Sequence, residues 1–346
     1  MIKEAIKTLV SGKSLSETES FTAMAEMMEG NVTPAQFGAF VAALRIKGET
    51  VDEIVGMVRA MRARAVQVTV ANTTLDTCGT GGDNAATFNI STLAAFVVAG
   101  TGIRVAKHGN RAMTSRCGSA DVLEALGIKI DLNAHQVEQC LANAGICFMF
   151  APVFHPAMRH VAAPRREIGF RTIFNIIGPL ANPASSHYQI IGVPDPQTGE
   201  KIAAALCRLG TKRALIVHGH GGLDELSVSG KSLIWEIEEN SQNVRMFHVK
   251  PTDFGFPMAD IATLRGGTSE ENAIIFRKIL SGEISARRNA VVMNAAAAIA
   301  ITQGKKIDGN VLYKSARLAE QSIDTDIAQQ KLEELILMSR TLQGQG

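Results

Sequence analysis

Two glycine turns carry most of the residues in this chain whose types and spacing could do chemistry. In DTCGTGGDNAATFNIST, Leu75 to Cys78 can end a buried strand, and Gly79, Gly81 and Gly82 then crowd a turn closing on Asp83. Thr87, Asn89, Ile90, Ser91 and Thr92 lie at or just before LAAFVVAG, which reads as a helix. Strand, glycine turn and helix N-terminus together make an anion site. Glycine lets backbone N–H groups turn towards a ligand, and the helix end adds partial positive charge. Asp83 should repel a phosphate, so a bridging cation or a sugar hydroxyl is needed to account for it. A plain glycine turn capped by Ser91 is the structural alternative. The turn has no Lys-Ser or Lys-Thr ending and does not fit G-x-G-x-x-G, so it is neither a P-loop nor a dinucleotide fingerprint.

The second turn, Lys107-His108-Gly109-Asn110-Arg111, leaves a short strand at Val105-Ala106 and continues through Ala112, Met113, Thr114 and Ser115 to Ser119. It holds cations, an amide and hydroxyls, and Asp121 and Glu124 have capping-box spacing ahead of Leu123 and Leu126. Two such turns after two strands describe the ligand end of an open α/β sheet. One acidic and one basic turn suit a multiply phosphorylated sugar with its metal. A further pair, Asp224-Glu225, follows RALIVHG and the turn Gly219-His220-Gly221-Gly222. Adjacent carboxylates at a sheet's carboxyl end suit Mg²⁺, although a solvated corner is the plainer reading. His218-x-His220 has no third soft ligand nearby, which excludes a zinc site.

GTGGD, NIST, KHGN and GSADVLEALG, in that order, resemble the anthranilate phosphoribosyltransferase family. HPAMRHVAAPRREIGFRTIFNIIGPLANP and LDELS extend the resemblance, which runs over roughly residues 3 to 335. GTGGD is shared with pyrimidine nucleoside phosphorylases, whereas RTIFNIIGPLANP with Arg165 is more discriminating. The resemblance implies transfer of 5-phosphoribose from 5-phosphoribosyl 1-pyrophosphate (PRPP) to the amine of anthranilate, the second step of tryptophan biosynthesis from chorismate. It assigns PRPP to Gly79, Gly82, Asp83, Thr87, Asn89 to Thr92, Lys107 to Ser115 and Ser119. It assigns anthranilate to Gly79, Asn110 and Arg165, with Gly178 nearby, and two magnesium ions to Ser91, Asp224 and Glu225.

The chemistry agrees with those roles. Anthranilate's amine is neutral at pH 7 and needs no strong base, while its carboxylate needs a cation such as a guanidinium. Arg166 and Arg171 compete with Arg165 for that role. His108 is a candidate acceptor for the departing proton, with a solvated turn histidine as the alternative. Catalysis would come from neutralising the leaving group and from positioning, without a covalent nucleophile. Thr114 and Cys117 stand where the family usually has serines, and Cys117 keeps only a weak donor. Two other readings are a pyrimidine nucleoside phosphorylase and a non-catalytic nucleic-acid-binding relative. The Arg165 segment opposes the first, and the retained acids Asp83, Asp224 and Glu225 oppose the second.

Around these residues, 346 positions exceed what one core usually serves, so two domains are expected. A net charge of +2 argues against bulk nucleic-acid binding. The five cysteines are scattered without C-x-x-C spacing, which suggests neither disulfides nor a zinc site. No apolar run reaches transmembrane length, and MIKEAIKTLVSG does not read as a signal peptide, so a soluble cytoplasmic enzyme is expected.

The fold class expected is α/β: a helical N-terminal domain plus a larger domain with a mostly parallel sheet. The first seventy residues read as capped helices, with boxes at Ser16/Glu19, Thr33/Gln36 and Thr50/Glu53. Beyond residue 71, ICFMF, QIIGV, RALIVHG and VRMFHV read as strands among helices. The expected division is 1–70, with 156–186 returning to it by resemblance, against 71–155 and 187–346. GQG at the end reads as a tail. The methionine-rich helices carry an apolar face too large for seventy residues to bury, and the family resemblance adds a homodimer through residues 1–60 with a complete site in each protomer. Association with an anthranilate synthase subunit is left open.

Overall fold

The computed structural model describes residues 1–83, 85–112, 116–238 and 243–344. Met113, Thr114 and Ser115 of the second turn, and the last two residues of the GQG tail, lie outside them.

Three capping boxes start the N-terminal helices where the sequence places them. After α1 (Ile2–Val10), Ser16 and Glu19 cap α2 (Glu17–Met28), Thr33 and Gln36 cap α3 (Pro34–Lys47), and Thr50 and Glu53 cap α4 (Val51–Ala63). Glu53 does more than cap. Its buried carboxylate also accepts the Leu15 N–H at 2.9 Å and pairs with Lys47 at 2.9 Å, tying the α1–α2 loop and the end of α3 to α4.

The chain then alternates: β1 (Leu75–Gly79), α5 (Ile90–Gly100), β2 (Val105–Gly109), α6 (Ser119–Leu126), α7 (Ala134–Ala144) and β3 (Ile146–Phe150). Three helices follow without a strand: α8 (Ala151–Phe154), α9 (Arg159–Ile168) and α10 (Ile173–Leu180). Next come β4 (Tyr188–Gly192), α11 (Pro196–Arg208), β5 (Arg213–His218), β6 (Ser232–Glu238) and β7 (Arg245–Val249). The helices α12 (Ser269–Leu280), α13 (Ala286–Thr302), α14 (Gly309–Asp324) and α15 (Ile327–Gln343) complete the chain.

The strands form one sheet in the order β3-β2-β1-β4-β5-β6-β7. The first five are parallel, and β6 and β7 add an antiparallel edge. The apolar runs do not foretell β6, because Glu236 breaks SLIWEIE. The structure buries that glutamate by pairing it with Arg213 from β5 and Arg245 from β7. Building outward from β1 to β3 and then returning to β4 on the other side of β1 leaves a crevice at the carboxyl ends of β1 and β4. That is where open α/β sheets hold ligands.

Both faces of the sheet are covered, as parallel strands require. On one face α5, α12, α13, α14 and α15 pack over Leu75, Val105 and Leu215. On the other, α10 and α11 join the N-terminal helices in one core holding Met24, Met57, Phe174, Ile191, Leu206 and Trp235. The methionine face expected to need a second copy is therefore covered within the chain. What stays exposed there is smaller: Val10, Ile46 and Met1. Among the described residues no cysteine forms a disulfide, and no helix is long and apolar enough to cross a membrane.

Candidate active site

Gly79 and Gly192 end β1 and β4 side by side in register. The chain after β5 folds across both strand ends, with Gly221 and Gly222 at positive φ shaping its turn. A Cβ on Gly192 would run into the Asp224 backbone, and one on Gly79 would sit 2.6 Å from Asp224 Oδ2. Glycine at both ends is thus what lets Asp224-Glu225 lie over the crevice. The acids then organise the first turn. Asp224 Oδ2 accepts the Gly81 N–H at 2.9 Å, and Glu225 Oε1 accepts the Ser91 N–H at 3.0 Å. Two of the N–H groups that the sequence offers to an anion are engaged by these carboxylates, which fixes the turn and the start of α5.

Asp83 lies against Asp224. Its Oδ1 accepts the Ala85 N–H at 3.1 Å, and its buried Oδ2 has no hydrogen-bond donor among the described residues. Burial, then Asp83, raises Asp224 above the usual carboxylate range, and burial, then Asp224, raises Glu225. Three crowded carboxylates with an orphaned oxygen, beside the Ser91 hydroxyl, fit a hard divalent cation. Among the described residues no three His, Cys, Asp or Glu side chains converge on one metal position. An ion here would complete its shell from substrate oxygens and water, as Mg²⁺ commonly does.

The second turn rests on a buried polar frame. Lys107 is buried and its ammonium donates to the Thr77 carbonyl, near Asp76 and Glu225. Asp76, fully buried in β1, accepts the His108 N–H at 3.3 Å and the Asn182 amide at 2.8 Å. Asn182 also donates to the Ala106 carbonyl at 2.9 Å, so β1, β2 and the segment after α10 are locked together. The Asn110 carbonyl accepts the Ser119 hydroxyl at 3.2 Å, closing the turn onto α6. That helix begins three residues earlier than the Asp121/Glu124 spacing suggests, with Gly118 as its N-cap. Asp121 is its third residue and reaches back to the Gly118 and Ala112 N–H groups, while Glu124 pairs with Arg111. Cys117 donates to Asn89 Oδ1 at 3.3 Å and its carbonyl accepts Asn89 Nδ2 at 3.0 Å, so it orients Asn89.

The His108 ring lies 5.1 Å from that of His155, tilted 59° to it. Burial, then the neighbouring His155 and Lys107, presses its pKa down to about 3. It is a neutral ring at physiological pH and a weak base, so this setting speaks against His108 as the proton acceptor.

His155 is pressed down to about 4, chiefly by burial. Since that lies below the unfolded value near 6.5, the unfolded chain takes up the proton first, and stability falls as pH drops from about 6.5 to 4. Asp76, Asp224 and Glu225 act in the opposite sense, so the comparison must isolate one group. The stability advantage of wild type over His155→Gln is expected to shrink by about 3 kcal/mol between pH 7 and pH 4 in urea titrations. A pH-independent difference would show that His155 is not held neutral.

The opposite wall comes from α9 and α10. Arg165 lies 5.6 Å over the Phe174 ring, and burial lowers its pKa. No carboxylate among the described residues pairs with it. Arg171 donates instead to the Gly81 carbonyl and to Thr80 Oγ1, the latter at 3.3 Å. The exposed Arg166 lines the same cavity. Gly178 faces open space, and with Asn175 and Pro179 it lines the cavity floor.

The cavity measures about 850 Å³, enough for a phosphorylated sugar and a flat aromatic acid together. It brings together Gly79, Gly82, Asp83, Thr87, Asn89 to Thr92, Lys107 to Ala112, Ser119, Arg165, Asp224 and Glu225. Sequence reasoning missed Gly266, Gly267 and Asn272. Thr87 and Arg265 form a bridge, Gly266 lies against the Phe88 backbone, and Asn272 donates to Asn89 Oδ1 at 3.0 Å. The paired glycines before the α12 cap are the available signal.

Known proteins with this arrangement are closely related. Residues 71–328 match a family model described as a glycosyl transferase family a/b domain, and residues 3–65 match one described as its helical bundle domain. The anthranilate phosphoribosyltransferase of Dehalococcoides mccartyi is 54% identical, with 99% of each chain covered. That of Pelotomaculum thermopropionicum is 52% identical over 97% of this chain and 96% of its own. Among solved structures, the Thermus thermophilus enzyme superposes with a TM-score of 0.89 at 40% identity, covering 97% of this chain and 99% of that one. The Saccharomyces cerevisiae enzyme in complex with PRPP and Mg gives 0.90 at 29% identity, covering 98% of both.

Proposed function

Since this chain belongs to the anthranilate phosphoribosyltransferase family, we propose that the cavity at the β1–β4 crevice is where it transfers 5-phosphoribose from PRPP to the amine of anthranilate. The protein is a Mg²⁺-dependent glycosyltransferase of tryptophan biosynthesis. The observation that carries the placement is the Asp83–Asp224–Glu225 cluster across the crevice from Arg165, which has no carboxylate partner among the described residues. One end of the cavity wants a cation and the other an anion.

In this reading the first turn and α5 hold the ribose and pyrophosphate, with Asn89 fixed by Cys117 and Asn272. Lys107 supplies a buried positive charge from below. Ser91, Asp224 and Glu225 would hold two magnesium ions, which when bound neutralise the pyrophosphate. Arg165 takes the anthranilate carboxylate, and Asn110 and the Gly79 backbone align the amine with C1. As the C1–O bond breaks, its electron pair leaves with pyrophosphate. The amine lone pair then forms the C1–N bond and the nitrogen gives up one proton to the released pyrophosphate. The amine is already nucleophilic, so a neutral His108 is no handicap; its ring helps enclose the site. Positioning and charge stabilisation account for the catalysis. Mixing the protein with anthranilate, PRPP and Mg²⁺ should extinguish anthranilate fluorescence in step with pyrophosphate release. Release of pyrophosphate with anthranilate unchanged would defeat the acceptor assignment.

The helical-bundle match over 3–65 and the a/b match from 71 support a boundary near residue 70. The packing of α9 and α10 on α2, α3 and α4 supports counting 156–186 with the helical unit 1–70, which leaves 71–155 and 187–346 as the α/β unit. The exposed Val10 and Ile46 support a homodimer through the helical unit. Light scattering at micromolar protein should give twice the 36.9 kDa chain mass, and a fully active monomer would refute it.

A further inference from the structure

Arg171 belongs by sequence to the acceptor wall, yet its guanidinium is spent on the donor turn. It leaves the chain just after Gly169 ends α9 and reaches across the crevice to the Gly81 carbonyl, to Thr80 Oγ1 at 3.3 Å and to the Thr80 carbonyl at 3.5 Å. It fills the space that a side chain at position 82 would need, since a Cβ on Gly82 would collide with the guanidinium. No carboxylate among the described residues forms an ion pair with it, although the charges of Asp224, Asp195 and Asp83 favour its ionised form against burial and Arg45. A half-buried cation has thus been committed to two backbone carbonyls of a ligand-binding turn.

In a trans peptide the C=O and N–H point in opposite directions. Holding the Thr80 and Gly81 carbonyls on one planar fork therefore turns the following N–H groups, those of Gly81 and Gly82, away from Arg171. The Gly81 N–H is received by Asp224 at 2.9 Å. The Gly82 N–H belongs to a residue lining the cavity. We propose that Arg171 is a positioning residue: it clamps the Thr80–Gly82 turn from the acceptor wall so that the Gly81 N–H stays on Asp224 and the Gly82 N–H is set for pyrophosphate. This rests on the reading of the cavity as the PRPP site. A lysine has the charge but not the planar fork that spans two residues.

The test is steady-state kinetics and calorimetric binding of PRPP with Mg²⁺ on the full-length protein. Arg171→Gln and Arg171→Lys are both expected to raise the PRPP KM on the order of tenfold to a hundredfold, leaving anthranilate affinity within about threefold. Gly82→Ala should harm PRPP binding more beside Arg171 than in an Arg171→Ala background, where the colliding group is gone. Full PRPP affinity in Arg171→Lys would show that charge alone matters and would overturn the clamp. Equal losses for both substrates would mark a merely structural role and overturn it as well. Asp224→Asn with Glu225→Gln serves as reference. If that variant loses PRPP while Arg171→Gln keeps it, the clamp fails alone; if neither variant loses PRPP, the site reading fails with it.

Discussion

Replacing Asp224 by Asn together with Glu225 by Gln is expected to lower transfer by about three orders of magnitude or more at saturating PRPP and Mg²⁺, without unfolding the protein. The two effects separate because each side chain has two duties. As hydrogen-bond acceptors they fix the Gly81 and Ser91 N–H groups, and an amide oxygen in the same place can do that. As charges they hold the cation, and an amide cannot. Burial raises both pKa values, with Asp83 adding to the rise at Asp224 and Asp224 to that at Glu225, which means that their ionised forms cost folding energy. The double variant should therefore melt at the same temperature as wild type or slightly above it, measured by calorimetry at pH 7.5. Wild-type turnover with an unchanged magnesium dependence would remove these residues from the metal site.

Arg165→Ala should raise the anthranilate KM about tenfold to a hundredfold, the equivalent of losing a charge-assisted pair of roughly 1.5–3 kcal/mol. The structure strengthens the expectation by leaving Arg165 on the Phe174 ring with no carboxylate partner among the described residues, and with burial already lowering its pKa. A cation in that state gains from an incoming carboxylate and loses few prior bonds. The PRPP KM should move little. A collapse of PRPP binding would place Arg165 in a phosphate subsite and leave the acceptor carboxylate without a partner.

The parts of this site that the sequence discloses are those built from neighbours in the chain. Gly81 and Gly82 announce a turn because both sit at positive φ, and the three N-terminal capping boxes place their helices for similarly local reasons. Pairings across long separations leave no such mark. Asp76 and Asn182 lie 106 residues apart, and Asn89 and Asn272 lie 183 apart. None of the four advertises its partner by spacing or periodicity. β6 is hidden for a related reason, because Glu236 reads as a surface residue until Arg213 and Arg245 from adjoining strands meet it. The methionines of α2 and α4 mislead in the other direction. Their apolar face is real, but α10 and α11, which cover it, come from more than a hundred residues further along the chain. His108 is legible as a chemical group but not in its state, since burial beside His155 depends on the returning segment.

The central claim is that the acids over the β1–β4 crevice and the glycine turn beside them hold a metal–PRPP complex. Anomalous scattering from Mn²⁺ in crystals grown with PRPP tests it most directly. The account predicts metal peaks bound by Asp224 and Glu225, one of them also by Ser91, bridged by pyrophosphate oxygens lying against the Gly79–Asp83 turn. Metal peaks away from these residues, or PRPP bound with both carboxylates untouched, would contradict it.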